Sequence, residues 1–143
     1  MPQSLSSIRK QLADKVAAIT GFKESNHTPD YFGRTENTIA HRAFSIGVSN
    51  STAMTERQRR AIGVYVSTPM ICTFAYRLRP LDIYPIDYDA ALDAEESVIS
   101  GILNPYSSDN QFTIQYLSSQ RTVTDSQEYI IISLTFNILH TIG

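Results

Sequence analysis

The chain has 143 residues, of which 42% are hydrophobic and 18% are charged, and its formal net charge is −2. This length fits one domain, and this composition excludes a disordered chain. No apolar run approaches the roughly 20 residues that a membrane helix needs, and residues 1–15 show no signal-peptide pattern. We therefore expect a protein that folds in the cytoplasm and makes no membrane contact. The single cysteine excludes an intrachain disulfide and a cysteine-rich zinc site.

The charges are distributed unevenly along the chain. Residues 1–60 contain nine Lys and Arg against five Asp and Glu, whereas residues 61–143 contain three against nine. The first part therefore has a net charge of +4 and the second a net charge of −6. Such an asymmetry is compatible with surfaces that recognise each other in neighbouring copies.

An amphipathic helix is predicted at the start of the chain. Apolar residues recur at helical spacing from Leu5 to Ile19 and Gly21 provides a stop, so we expect the helix over residues 4–20. Residues 21–38 lack apolar periodicity and are rich in turn-forming residues, which predicts an extended loop.

The next two elements are predicted strands joined by a polar tip. Phe44 and Ile46 alternate with small polar residues, and the same period of two returns over residues 61–79. Residues 50–62 between them are mostly polar and form the predicted tip of a long antiparallel hairpin. Because Pro69 has no N–H group for a sheet ladder, we expect it at a bulge or at a sheet edge.

A second helix is predicted after Pro85. Its apolar residues run from Ala91 to Leu103, interrupted by Glu95, and an Asn-Pro pair ends it. Asp87 or Asp89 is the expected N-cap, since a short acidic side chain can accept hydrogen bonds from the free N–H groups of the first turn.

A second hairpin completes the chain. Residues 112–116 and 129–142 alternate as strands, and residues 118–128 are predicted to be a polar turn region. We therefore expect one α+β domain over residues 1–143. In this domain two antiparallel β-hairpins form a twisted sheet or a sandwich, and both helices pack on one face.

The sequence contains no known catalytic arrangement of residues. Asp87, Asp89 and Asp93 lack the glycine and the further oxygen ligands of a calcium loop, and acids are favourable at a helix start in any case. A nucleophile elbow, a phosphate-binding loop and a dinucleotide-binding loop are all missing. We expect a protein that is not an enzyme and that binds no cofactor and no metal.

The histidines and the cysteine fit structural roles. His27, His41 and His140 are dispersed and form no zinc-binding pair. His140 shares its strand face with apolar residues, where a lone histidine is most often a satisfied or a peripheral residue. Cys72 lies on the apolar face of a strand, where a thiol behaves as a small hydrophobic group.

Three arginines, Arg57, Arg59 and Arg60, lie at the predicted hairpin tip. Three explanations are open: a soluble tip, docking on an acidic protein surface through bidentate pairs, and contact with nucleic-acid phosphates. A pI near 5.9 argues against nucleic acid, as does the lack of aromatic neighbours.

Long loops cost ~1–2 kcal/mol per residue in backbone entropy to order, which favours an assembly in which partners order them.

The order of these elements resembles that of the tail terminator, or tail completion, proteins of long-tailed bacteriophages. The resemblance covers nearly the whole chain through its layout, without a diagnostic motif. It rests on the opening helix Ser4–Thr20, the strand pair Ala40–Val48 and Val64–Leu78, the Pro-x-Asp-Tyr-x-Ala sequence of Pro85–Ala90, and the final strand Tyr129–Ile142.

The resemblance implies a structural virion subunit that is assembled in the host cytoplasm and forms a homohexameric ring. Such a ring caps the tail tube, stops its growth and joins tail to head through a neck or connector protein, and genome DNA passes through its channel as cargo. Tail terminator proteins have no catalytic residues, so the resemblance implies none in this chain. A tail tube subunit, a neck or connector subunit, and a small non-viral binding module are the alternatives.

The charge distribution also predicts a contact between neighbouring subunits. We expect the arginines of the hairpin tip to face the acids at the start of the second helix in the adjacent subunit. Partly exposed ion pairs are worth only ~0.2–1 kcal/mol each, so they would fix the register of a ring without holding it together. The residues concerned are Arg57, Arg59, Arg60, Asp87, Asp89 and Asp93.

Overall fold

A computed structural model describes residues 4–25, 41–53, 64–78, 84–103, 112–124 and 128–142. These residues form two helices and one mixed sheet, which confirms the α+β class. The helices are α1 (Leu5–Ala17) and α2 (Tyr84–Leu103). The strands are β1 (Lys23–Glu24), β2 (Ala43–Val48), β3 (Thr52–Ala53), β4 (Val64–Arg77), β5 (Phe112–Val123) and β6 (Tyr129–Ile142).

The two predicted hairpins lie side by side in one open sheet. Its strand order is β1-β2-β4-β6-β5, and β3 pairs with β4 beyond the end of β2. β1 is parallel to β2, whereas the pairs β2–β4, β4–β6 and β5–β6 are antiparallel. A single sheet forms instead of a sandwich because β4 and β6 pair along their whole length and so join the two hairpins.

Both helices pack on the same face of this sheet, as predicted. α1 contacts β1 and β2, and α2 contacts β4, β5 and β6. Alternate residues of the strands face the helices, and the large ones are fully buried, among them Phe44, Phe74 and Phe136. Ile8 and Leu12 of α1 close the core from above. This burial is the main source of stability, at roughly 25 cal/mol per Å² of apolar surface.

α1 ends at Ala17, earlier than the predicted end at residue 20. The Ser4 side chain accepts a hydrogen bond from the N–H group of Ser7, which caps the first turn. The chain then turns through Gly21, whose φ of 87° is a left-handed conformation that favours glycine. The first part of the predicted loop 21–38 contains β1, which is too short to show the alternation of a strand in the sequence. Residues 26–38 of this loop lie outside the described residues.

α2 begins at Tyr84, so the prediction of Asp87 or Asp89 as its N-cap was wrong. Pro85 occupies the first turn, where its missing N–H group breaks no helical hydrogen bond. Asp87 also lies in the first turn, where a carboxylate interacts favourably with the free N–H groups.

Pro69 lies inside β4, where the register with β6 is unbroken, so the predicted bulge or sheet edge was wrong. On the other side of β4, pairing with β2 ends at Met70 and pairing with β3 begins at Ser67. The Pro69 carbonyl accepts a hydrogen bond from Ser49 at 2.8 Å, so the Pro69 nitrogen faces the interruption between β2 and β3. No N–H donor is needed there, which explains why a central strand tolerates this proline.

β5 continues through residues that the sequence predicted to be a turn. A bulge between Tyr116 and Ser118 shifts its register against β6 by one residue. Beyond the bulge the other set of alternate residues faces the helices, and this set includes Arg121. The polar composition concealed the strand, because β5 lies at the end of the strand order and most of its side chains are exposed.

Candidate functional site

A small cleft opens where β2 begins and β4 ends. It has a volume of about 170 Å³ and is lined by His41, Tyr76, Arg77 and Asp87. Asp87 and Tyr76 are buried, whereas His41 and Arg77 are exposed. A histidine, a tyrosine, a carboxylate and an arginine in one concave site make this cleft a candidate binding site.

Contacts between the two strands position His41 in the cleft. The backbone N–H group of Arg77 donates a hydrogen bond to His41 Nδ1 at 3.0 Å. The imidazole ring meets the Tyr76 ring edge to face, with 4.6 Å between the ring centroids. Because Nδ1 accepts a hydrogen bond, neutral His41 carries its proton on Nε2.

Arg42 connects this cleft to the end of α1. Its φ of 62° is unusual for a residue other than glycine. The guanidinium carbon lies 5.6 Å from the centroid of the Tyr76 ring, and Nη1 donates a hydrogen bond to the Thr20 carbonyl at 3.4 Å. The side chain crosses Gly21, where a Cβ atom would collide with the guanidinium group. The Arg42 side chain thus links the turn after α1 to the start of β2 and the end of β4.

The surroundings of His41 favour its neutral form. Partial burial, followed by the charges of Arg42 and Arg77, lowers the pKa of His41 below its usual 6.5, and the Asp87 charge opposes this shift. The geometry acts in the same direction, because a proton on Nδ1 would break the hydrogen bond from Arg77.

His41 and Tyr76 in the cleft make hydrogen bonds that join the start of β2 to the end of β4. A general base acts on a nucleophile within hydrogen-bond reach and is itself oriented by a third group. Here His41 Nδ1 is occupied by a backbone N–H group, and the Tyr76 hydroxyl accepts a hydrogen bond from Arg42 Nη2 at 3.5 Å. The arrangement fits an interlock between β2 and β4 better than it fits proton transfer.

The three acids of the predicted interface do not share one surface. Asp87 is only 6% exposed and lies in the cleft with Arg77, so the expected projection from the surface does not hold for it. Asp89 and Asp93 are exposed, and their spacing of four places them on the same side of α2. Glu96 is exposed one turn further along the helix and was not included in the prediction. The acidic surface therefore consists of Asp89, Asp93 and Glu96.

The basic half of the predicted interface is not tested. The predicted tip over residues 50–62 begins with β3, whereas residues 54–62 lie outside the described residues. This segment includes Arg57, Arg59 and Arg60. Their contact with the acids of a neighbouring subunit stays a prediction.

Sequence reasoning missed an ion pair between α2 and β5. Arg121 donates two hydrogen bonds to Glu95, from Nε to Oε1 and from Nη2 to Oε2, both at 2.6 Å. The Glu95 side chain is 6% exposed and the Arg121 side chain 42%, and the carboxylate raises the pKa of the Arg121 guanidinium. The position of Glu95 on an apolar helix face could have indicated an ion pair, because a buried carboxylate requires a partner. Identifying that partner required the bulge in β5.

His140 and Cys72 have structural surroundings, as predicted. His140 is 1% exposed, and its Nε2 lies 3.0 Å from Thr68 Oγ1, which in turn lies 2.6 Å from Ser51 Oγ. Burial raises the pKa of the Cys72 thiol to about 12, which keeps the thiol protonated.

Exposed apolar side chains concentrate on α2 and β5. Large hydrophobic residues with high exposure include Ile86 and Leu103 on α2 and Tyr116 and Leu117 on β5, and a further one, Val48, ends β2. α2 contains five acidic residues and no Lys or Arg. This side of the described structure is therefore both apolar and acidic.

Comparisons with known proteins give no family assignment. The sequence matches no known protein-family model, and no similar protein was found among curated proteins. Within the described residues, no group of three or more His, Cys, Asp and Glu side chains is placed to hold a metal ion. None of the described helices is long and apolar enough to cross a membrane.

Proposed function

We propose that the chain is a structural subunit of a phage tail, a tail terminator that forms a homohexameric ring at the end of the tail tube. The observation that carries this proposal is the concentration of exposed apolar and acidic side chains on α2 and β5. Apolar and aromatic groups with a polar rim are typical of surfaces that bind other proteins.

The cleft supports a protein-binding role over a small-molecule site. Its volume of about 170 Å³ is below the roughly 300–1,000 Å³ that is typical of small-molecule sites. Its histidine and tyrosine already make hydrogen bonds within the chain. Binding energy is therefore more readily available on the exposed side of α2 and β5.

The order of elements is a second support. α1, the antiparallel pair β2 and β4, α2, and the antiparallel pair β5 and β6 follow each other in the order on which the resemblance to tail terminator proteins rests. In that family the ring caps the tube and contacts the neck or connector, with genome DNA passing through the channel. The proposal therefore includes the tube protein and a neck protein as partners.

Deletion of the gene from a phage that carries it tests the proposal. We expect DNA-filled heads that do not join to tails, and tails of uncontrolled length, in negative-stain micrographs. Supplying the gene in trans should restore whole particles. Normal particles without the chain would overturn a virion role and leave the non-viral binding module.

Reconstruction of the complete particle separates the neighbouring alternatives. A hexameric ring of the chain between tube and neck is expected. Copies repeated along the tube would identify a tail tube subunit instead. A ring inside the head vertex would identify a neck or connector subunit.

A further inference from the structure

The two ends of the sheet lie under different helices. β1 and β2, at one end of the strand order, contact α1, whereas β5, at the other end, contacts α2. We name these the α1–β1 edge (Leu5–Ala17 with Lys23–Glu24) and the α2–β5 edge (Tyr84–Leu103 with Phe112–Val123). Identical copies that join through unlike edges are arranged head to tail, and such a chain of copies closes into a ring when the rotation permits.

The two edges carry opposite net charges. The α2–β5 edge has five acidic residues and one arginine, a net charge of −4. The α1–β1 edge has four basic and two acidic residues, a net charge of +2. On the α2–β5 edge the exposed acids are Asp89, Asp93 and Glu96. On the α1–β1 edge Lys10 and Lys23 are exposed together with Asp14 and Glu24, and Glu24 pairs with the partly exposed Arg9.

Exposed apolar groups on the acidic edge are an independent observation. Tyr116 is 40% exposed and Leu117 is 54% exposed on β5, and Leu103 is 37% exposed at the end of α2. Ion pairs between partly exposed groups contribute little affinity, whereas burial of apolar surface contributes more. The apolar groups would thus supply affinity, and the charges would select the orientation.

The β5 strand lacks the charges that usually keep a sheet end from associating. Its single charged residue, Arg121, is held by Glu95 of the same chain. The bulge next to Leu117 interrupts the regular backbone, which disfavours a continuous added strand and leaves side-chain contact as the mode of association.

We propose that the α2–β5 edge of one copy binds the α1–β1 edge of a second copy. The occupant of the acidic and apolar edge is therefore the basic edge of an identical chain. This contact rests on the proposed function, since it supplies the head-to-tail interface that a ring requires. In this contact Lys10 and Lys23 are the basic partners among the described residues.

Charge reversal on each edge tests the contact. One variant carries Lys10→Glu with Lys23→Glu, and the other carries Asp89→Lys with Asp93→Lys. Each variant alone brings like charges together, so its self-association at low salt should weaken by about tenfold or more, measured by analytical ultracentrifugation. An equimolar mixture should recover association, because each reversed edge then meets an edge of opposite charge.

The control variant is Glu128→Lys, which reverses an exposed charge outside both edges. Glu128 lies at the end of the sheet, where its carbonyl accepts a hydrogen bond from Leu78 at 2.7 Å. We expect it to associate like the unmodified chain. A mixture that associates no better than its components overturns the proposal, as does an unmodified chain that stays monomeric at millimolar concentration in low salt.

Cross-linking determines the orientation. Cys72 is the only cysteine and is 1% exposed, so introduced cysteines provide the accessible thiols. The double variant Lys10→Cys with Glu96→Cys should give a ladder of oligomers with a short bis-maleimide. Each single variant should stay unlinked, because in a head-to-tail contact a residue does not meet its own copy. Dimers from a single variant would show a two-fold contact and overturn the proposal.

The two proposals fail separately. A ladder from the free chain, together with particles that contain no such ring, would refute the tail function and leave the contact intact. A ring in the particle whose cysteine pair does not cross-link would refute the contact and leave the tail function intact.

Discussion

Replacement of Arg121 by methionine is expected to destabilise the fold by leaving the Glu95 carboxylate without its cation. Methionine keeps most of the apolar stem of arginine, so the change is chiefly one of charge and hydrogen bonding. Glu95 accepts two hydrogen bonds of 2.6 Å from Arg121, and its side chain is 6% exposed. Water can therefore replace the guanidinium group only in part.

The size of the effect follows from burial. Removing one partner of a fully buried pair costs roughly 3–5 kcal/mol. The Arg121 side chain is 42% exposed, so solvent already screens the pair and the expected loss is reduced to about 1.5–3 kcal/mol.

Urea unfolding followed by far-UV circular dichroism measures this loss, since the chain has no tryptophan. The matched control is Arg9→Met, which breaks a pair with Glu24 whose side chains are 33% and 44% exposed, and a loss below about 1 kcal/mol is expected.

A double-mutant cycle checks the cause. Glu95→Leu with Arg121→Leu replaces the ion pair by an apolar pair, and we expect its stability to be close to that of the unmodified chain. Additive losses in this cycle, or an Arg121→Met loss no larger than that of Arg9→Met, would refute the reasoning, because the pair would then have no coupling energy.

Three further measurements test the cleft and the core. Gly21→Ala is expected to lower the free energy of unfolding by about 1–2 kcal/mol in urea titrations, because alanine is strained at a φ of 87° and its Cβ would meet Arg42. Gly101 lies within α2, and a Cβ atom there would make an ordinary contact with Ile19 at 3.5 Å. Gly101→Ala should therefore raise the free energy of unfolding by up to about 1 kcal/mol, and equal effects of the two substitutions would contradict this account. The pKa of His41 is lowered in the fold, so the unfolded chain binds more protons at this residue than the folded chain does. The free energy of unfolding therefore decreases as the pH is lowered below about 6.5. His41→Asn keeps an acceptor without titrating and should flatten this fall between pH 7 and pH 5; identical slopes would rule out His41 as its cause. Cys72 should react with a thiol-specific reagent at pH 8 only after unfolding in urea, and rapid native reaction would show that its pKa is not raised to about 12.

The sequence predicted the elements whose residues repeat with a regular period. α1 follows a period of 3.6 with Ile8 and Leu12 inside, and burial along β6 follows a period of two over residues 129–140. These patterns are local, because a residue and its neighbours three, four or two positions away share a face whatever surrounds the element. The α+β class and the packing of both helices on one face followed from them.

The sequence did not predict features that depend on a distant partner. β1 exists because it pairs with β2, and the second half of β5 exists because a bulge adjusts it to β6. Pro69 is tolerated because two different strands meet beside it. In each case the stabilising hydrogen bonds join residues far apart in the chain, so no local pattern records them.

The acids of α2 show this division most clearly. The sequence by itself determined that this helix is acidic, with five Asp and Glu and no Lys or Arg. Only the tertiary structure decided that Asp87 enters the cleft with His41 and that Glu95 pairs with Arg121, while Asp89, Asp93 and Glu96 face solvent. Composition fixes the total charge, whereas the rotation of the helix against the sheet determines which charges are balanced inside the chain and which are left for a partner.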